Sequence, residues 1–249
     1  MITTAAYRHW TRRARPLLGT LVEVGVPAGI TDSEALVRAA FAAIADVQSC
    51  LSRFDADSEL SRFHALAHGQ SMPVGMHAVT VLQAAQQLHD ASDGLFDVSL
   101  GSAPRGWRCD GHRLHMLDAA VRLDLGGIAK GYAVDSAVAA LQSAGCDSGW
   151  VNAGGDLRVF GEVALPLSLR DEAAGGVRPL ATLHDGALAT SHFGAGSRSH
   201  AHARHAVRAH VSVAAPQCLW ADALTKLVAI SGDPHHPELD RHGARAWTH

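Results

Sequence analysis

The stretch WVNAGGDLRVFGEVALPLSL, residues 150–169, decides the fold class. Three β-like runs, Trp150–Asn152, Arg158–Phe160 and Leu165–Leu169, succeed one another with only short, glycine-bearing turns between them. Such spacing leaves no room for the crossover helix that parallel neighbours require. Leu180–His184 reads as a further strand, and Val207, Ala209, Val211 and Val213 alternate in another. Few helices and many adjacent strands predict an α+β fold, with largely antiparallel sheets and packed helices in a single compact domain, rather than a doubly wound Rossmann fold.

Working outward, Val22, Val24 and Val26 place a half-buried strand over Thr20–Val26. Thr31-Asp32-Ser33-Glu34 has the form of a capping box, and Leu36, Ala40, Phe41, Ile44 and Val47 continue at helical spacing to Cys50. A second helix covers His77–Ala91. Val121, Leu123 and Leu125 alternate as a short strand ending at Gly126-Gly127, and a helix over Ile128–Ala144 closes at Gly145. A last amphipathic helix spans Leu219–Ile230. The domain is expected to occupy residues 1–249, with residues 1–17 as a flexible lead-in.

At 249 residues, 47% hydrophobic and 18% charged, the chain can bury an ordinary core. A formal net charge of -3 gives no field that would gather nucleic acid or an anionic membrane. Cys50, Cys109, Cys146 and Cys218 are far apart without a CxxC pair, which excludes a ribbon-type zinc site and favours buried free thiols over a disulfide framework. Arg12-Arg13 suggests a twin-arginine signal, but Arg15 follows and the next apolar stretch breaks at Glu23. With no stretch of spanning length, the reading is a cytoplasmic chain without a membrane span. Of the 17 histidines many cluster, at His200, His202, His205 and His210 and at His235-His236, without the ligand spacing of a dedicated transition-metal site.

Three constellations can carry chemistry. Asp124-Leu-Gly-Gly-Ile-Ala-Lys130 ends a strand in two glycines and opens a helix, a form that lets backbone N–H groups approach a ligand, with Lys130 one turn in. It is neither a Walker loop nor GxGxxG, and a packing turn explains it equally well. Asn152-Ala-Gly-Gly-Asp156 reads either as a tight turn or as a ligand contact. Asp222 near the start of its helix can complement the dipole, offer a hard oxygen to Mg2+, or pair with Lys226 at i,i+4.

In order along the chain, these segments resemble the ApbE-type FAD:protein FMN transferase family. Leu18-Gly-Thr20 resembles its MGT element, Ser52-Arg-Phe54-Asp-Ala-Asp57-Ser58-Glu-Leu60 its S-x-Y-x-x-x-S-x-L segment, and Ser92–Asp97 its SDGAFD. Asp124–Asp135 reads DLGGIAKGYAVD, Asn152–Asp156 NAGGD, Ala189–Ser191 ATS and Ala221–Leu224 ADAL, as in the family. The resemblance runs over residues 18–232 and implies a T-fold-like ApbE architecture. It implies transfer of FMN from FAD to a Thr or Ser hydroxyl of a target flavoprotein, with AMP released and Mg2+ assisting. It carries Leu18, Phe54, Leu95, Phe96, Asp97, Asp124 and Lys130 over to the FAD site. Gly127, Asp222 and Thr225 become metal ligands, and Lys130 and His200 the catalytic cation and base. Two other readings use the same pocket: an FAD pyrophosphatase giving FMN and AMP, and a non-catalytic flavin-binding protein. Family members often carry an export signal, which makes the periplasm the alternative compartment.

The chain departs from the family pattern in four places. The HIIDPRTG segment is not recognisable around Ser199–His205, the Asp97–Asp124 connection is short, and MGT reads LGT. The helix from Asp222 reads Asp-Ala-Leu-Thr-Lys, so Lys226 stands where the family has a threonine ligand and Thr225 falls one residue early. That last change puts the Mg2+ requirement in question.

Overall fold

The computed structural model describes residues 10–170, 176–193 and 210–248. In chain order the elements are β1 (Trp10–Leu17), β2 (Thr20–Pro27), α1 (Ser33–Leu51), α2 (Glu59–His64), β3 (Ser71–Pro73), α3 (Met76–Ala91), β4 (Trp107–Asp110) and β5 (Arg113–Met116). There follow α4 (Ala129–Ser143), β6 (Gly149–Ala153), β7 (Asp156–Arg170), β8 (Val177–His192), β9 (His210–Ala215), α5 (Cys218–Ser231), α6 (Pro237–Arg241) and β10 (Arg245–Thr248). A seven-stranded sheet runs β1-β2-β6-β7-β8-β9-β10, and a three-stranded sheet runs β3-β5-β4. Among the described residues every strand pairing is antiparallel. The fold is therefore α+β with antiparallel sheets, as the strand spacing predicts.

Side-chain alternation sorts the large sheet into two faces. Val22, Val24, Val26, Val151, Ala153 and Phe160 belong to the main core with the helices. Trp150, Leu157, Val159, Val163 and Leu165 form a smaller cluster on the opposite face. On β7, Asp156 and Arg158 share Phe160's parity, so they face the helices although both are charged.

Several elements differ from the sequence expectations. Residues 10–17, expected as a flexible lead-in, form an edge strand in full register with β2 (Trp10↔Pro27 to Leu17↔Thr20). Its Arg12 reaches Glu23 at 2.7 Å and its Arg13 pairs with Glu34. Glu34 is thereby drawn away from a capping box. Asp32 instead adopts a left-handed φ of 57° and starts α1 with its carbonyl, which accepts the N–H groups of Ala35 and Leu36 at 2.8 and 3.1 Å. The runs 158–160 and 165–169 are parts of one strand, β7, interrupted by a register shift between Val159 and Ala164. Gly161 lies in that shift with φ 71°, where a Cβ would come within 2.8 Å of the Ser148 Cα.

Helix α5 begins at Cys218, and its first N–H groups are satisfied from another helix. Asp135 of α4 accepts Cys218 N–H and Leu219 N–H, both at 2.9 Å, and the Arg158 guanidinium at 2.6 Å. One carboxylate thus ties α4, α5 and β7 together, doing for α5 the work of an N-cap side chain. Cys109, Cys146 and Cys218 are buried free thiols and Cys50 is half-buried and free. Among the described residues no helix is long and apolar enough to cross a membrane.

Candidate active site

Val121, Leu123 and Leu125 point into the core as their alternation predicts, but the segment is an extended run rather than a strand. Two bonds outside any ladder pin it: Asp124 N–H to the Val98 carbonyl at 2.7 Å and Leu123 N–H to His64 Nε2 at 2.8 Å. Asp124 consequently projects from the opposite side of the run. Its Oδ1 accepts Gly126 N–H at 2.8 Å and its Oδ2 faces Arg53 Nε at 3.4 Å. The glycine turn uses several of its own donors, since Ile128 and Ala129 N–H both return to the Leu125 carbonyl and Gly131 N–H goes to Asp222 Oδ2 at 3.1 Å. The array of free N–H groups expected here is therefore largely committed, and side-chain charge carries more of any anion binding.

His64 must stay neutral to accept the Leu123 N–H. Burial and the Arg122 guanidinium hold its imidazole below the ordinary histidine value, against the pull of Asp124. The folded state thus takes up this proton less readily than the unfolded chain. Its contribution is fully present above roughly pH 6.5 and is lost as pH falls through the folded value. His242, lowered by burial and Arg241 against Glu238, acts in the same direction. Replacing His64 by Gln, which keeps an acceptor without the titration, is expected to flatten part of the acid limb of Tm against pH. An unchanged limb refutes the assignment.

A cleft of about 300 Å³ opens beside this turn, lined by Leu18, Gln48, Arg53, Phe54, Asp124 and Lys130 among others. Leu18 and Gly19, with φ of 55° and 70°, form the two-residue turn of the β1–β2 hairpin, which explains the Leu-Gly-Thr sequence. Gln48 Oε1 accepts Leu18 N–H at 2.6 Å and holds that turn at the cleft rim. Phe54 is 84% exposed, with the Arg53 guanidinium 4.5 Å from its ring centroid. A large aromatic face offered to solvent in a cleft is a ready stacking surface.

Leu95, Phe96 and Asp97 do not line this cleft. Phe96 is buried in the core and Leu95 is exposed. Asp97 folds its own loop, accepting Ser99 N–H, Ser99 Oγ–H and Gly101 N–H, each at 2.8 Å. Next in the chain comes Val98, whose carbonyl receives Asp124 N–H, so this loop positions the cleft carboxylate from behind.

Behind the cleft lies a cluster of alternating charge. Lys130 Nζ pairs with Asp156 and lies 3.3 Å from Asp222 Oδ2. Lys226 Nζ pairs with Asp222 Oδ1 and donates to the Asp222 carbonyl at 3.0 Å and to Ser191 Oγ at 3.1 Å. Asp156, Asp222 and Lys226 are buried. Burial would pull the Lys130 ammonium down, but Asp156 and Asp222 together raise it above the ordinary lysine range. Burial and the neighbouring Asp222 push Asp156 up against both lysines. For Asp222 burial also pushes up, yet Lys130, Lys226 and the Gly131 N–H outweigh it, so its carboxyl sits below the usual range.

Sequence reasoning singled out Asp222 and Lys130 and quoted Asp156 only as the last residue of NAGGD, a turn or a ligand contact, without a role of its own. Asn152 Oδ1 accepts Gly155 N–H at 3.0 Å, and Gly154 and Gly155 take φ of 65° and 106° in the β6–β7 turn. That turn starts β7 with Asp156 aimed at α4. The available signal was a carboxylate whose strand parity matches the core-facing Phe160.

Mg2+ takes near-octahedral oxygen ligands and keeps several waters. The residues here do not fit it. Both Asp222 oxygens are held by lysine ammonium groups and a backbone N–H. Thr225 Oγ1 donates back to the Asp222 carbonyl at 2.7 Å and lies 2.9 Å from Ser191 Oγ. The Lys226 stem lies against Gly127, its Cε 3.5 Å from where a Cβ would be. Among the described residues no group of three or more His, Cys, Asp or Glu is arranged to hold a metal ion. His200 lies outside the described residues.

The chain matches the sequence model of the ApbE family over residues 18–119 and 105–246, and it belongs to that family. It is 26% identical over 177 residues to an FAD:protein FMN transferase of Vibrio cholerae, covering 59% of this chain and 53% of that one. It is 30% identical over 155 residues to an FAD:protein FMN transferase of Rhodobacter capsulatus, covering 49% of this chain and 30% of that one. The chain thus spans about half the length of the first of these curated relatives and less of the second. The structure of the flavin transferase ApbE from Vibrio cholerae superposes with a TM-score of 0.83 at 21% identity, over 96% of this chain and 93% of that one. The apo flavinyl transferase ApbE of Pseudomonas stutzeri gives 0.80 at 22%, over 96% and 90%. The ApbE protein of Thermotoga maritima gives 0.80 at 22%, over 96% and 94%. These three share the fold.

Proposed function

We propose that this chain is an FAD:protein FMN transferase. The observation that carries the reading is the cleft at the start of α4, where exposed Phe54, Asp124 and Lys130 converge in a chain of the ApbE family. Phe54 would stack on a ring of the dinucleotide, Asp124 would accept hydrogen bonds from it, and Lys130 would face the pyrophosphate. A Thr or Ser Oγ of the target flavoprotein attacks the phosphorus of the FMN half. The bond from that phosphorus to the bridging oxygen breaks, and AMP leaves with the oxygen. The hydroxyl proton passes to a base, for which His200 is proposed on the resemblance alone. No step is routed through Mg2+. Most of the work is positioning and charge placement, as in phosphoryl transfer generally.

Incubating the pure protein with FAD and an acceptor peptide bearing Thr or Ser should release AMP and add the FMN mass to the peptide. AMP without a modified peptide would replace the reading by a pyrophosphatase, and FAD binding with neither product would replace it by a flavin-binding protein. Phe54→Ala is expected to weaken FAD binding by about tenfold or more, since stacking on one aromatic ring contributes about 1–3 kcal/mol. Its 84% exposure means that the fold should not suffer, and an unchanged Kd removes Phe54 from the site.

A further inference from the structure

Lys226 presents its ammonium to three oxygens of different kinds: a carboxylate oxygen and the main-chain carbonyl of Asp222, and the hydroxyl of Ser191. An ammonium has three N–H donors, so each is matched by one acceptor. Carboxylate, carbonyl and hydroxyl together are also the donor set of a hard cation. The stem runs beneath Gly127, the turn residue that follows Gly126 of the cleft wall, with Cγ, Cδ and Cε at 3.6, 3.7 and 3.5 Å from the Cβ position. A cation position thus exists under the glycine turn, and it is filled by a charge covalently attached to α5.

We propose that Lys226 is the resident cation of this site and that the chain binds and cleaves FAD without a divalent metal. The proposal rests on the transferase reading for its substrate, and on the Lys226 contacts alone for its cation. A divalent ion could enter only by displacing a tethered ammonium from its three acceptors or by lying against it, and like charges at such range repel strongly where water is excluded. Lys226 with Lys130 offsets the charges of Asp156 and Asp222, so the cluster is electrically balanced before the dinucleotide arrives. Lys130, the more exposed of the two lysines, is then the cation left to meet the pyrophosphate.

The test compares the full chain with Lys226→Thr and Lys226→Met by Mn2+ binding, read from electron paramagnetic resonance, and by AMP release from FAD in the presence of the Thr- or Ser-bearing acceptor peptide, in EDTA or in excess Mg2+. The wild-type chain is expected to show no saturable Mn2+ site at millimolar concentration, and AMP release within about twofold in the two conditions. Lys226→Thr is expected to gain a Mn2+ site and to lose about tenfold of its AMP release when Mg2+ is withdrawn. Lys226→Met, which removes the charge without offering an oxygen, is expected to bind Mn2+ more weakly than Lys226→Thr. Saturable Mn2+ binding by the wild-type chain overturns the proposal, as does a folded Lys226→Thr that gains no Mn2+ site. If Lys226→Thr does not fold, the wild-type titration still decides. Absence of AMP release in every condition would instead sink the transferase reading, and the Mn2+ comparison would stand by itself.

Discussion

Gly131→Ala is expected to destabilise the chain by about 3 kcal/mol or more, although alanine is the better helix former by about 1 kcal/mol. The sign reverses because α4 crosses α5 at this residue. A Cβ there would lie 2.6 Å from the Cys218 carbonyl carbon, closer still to its oxygen, and 2.8 Å from the Asp222 Cβ. Backbone atoms cannot turn aside as a flexible side chain can, so the two helices must part. Parting them also breaks the Gly131 N–H bond to Asp222 and loosens the Lys130 contact with the same carboxylate. Gly127→Ala is the matched control: its Cβ would meet the Lys226 stem no nearer than 3.5 Å, and its cost should stay within about 1 kcal/mol. Urea midpoints for the two variants should therefore separate widely. Equal midpoints would mean that the crossing is looser than described.

Asp222→Ala is the second large effect. Asp222 is fully buried, and both lysines depend on it. Removing it leaves Lys226 enclosed with only neutral acceptors and Lys130 with Asp156 alone. Breaking a buried pair from one side typically costs about 3–5 kcal/mol, whereas neutralising both sides costs far less. The double variant Asp222→Ala/Lys226→Met is therefore expected to recover a substantial part of the loss. Denaturant unfolding of the four members of that cycle checks the coupling, and simple additivity would refute it. Because Asp222 has a depressed carboxyl value, its stabilisation is present above the ordinary carboxylate value of about 3.9 and is lost as pH falls through the folded one. An i,i+4 pair on an exposed helix contributes only a few tenths of a kcal/mol. Burial is what raises the stakes here.

What the sequence showed depended on how much neighbouring elements intervene. Helices α1, α3, α4 and α5 were legible because each carries an apolar face at helical spacing, and Gly145 and Gly232 mark the ends of α4 and α5 with φ of 84° and 70°. Strand β1 was not legible, since its residues are mostly exposed at the sheet edge and alternation is absent. The three- and four-residue strands β3, β4 and β5 are too short to display a period. Residues 121–125 have the alternation of a strand because burial alone sets it, whereas pairing depends on what lies alongside. At the site, Leu18, Phe54, Asp124 and Lys130 were found by resemblance and do share the cleft. Phe96 and Asp97 share the motif but serve the core and the loop. Asp156 and Ser191 lay inside quoted motifs but drew no role of their own, because their significance comes from lysines 26 and 35 residues away in the chain.

The carboxylate of Asp135 has a consequence for how this half of the molecule comes together. Helix α5 takes the stop to its opening N–H groups from α4, and the same carboxylate grips β7 through Arg158. A segment that borrows its starting signal has little reason to be helical in isolation. Its order is therefore conditional on docking, and the carboxylate that gathers both lysines exists as a site only once the three pieces have met. The balanced cluster of Lys130, Asp156, Asp222 and Lys226 therefore depends on α4, β7 and α5 being docked together.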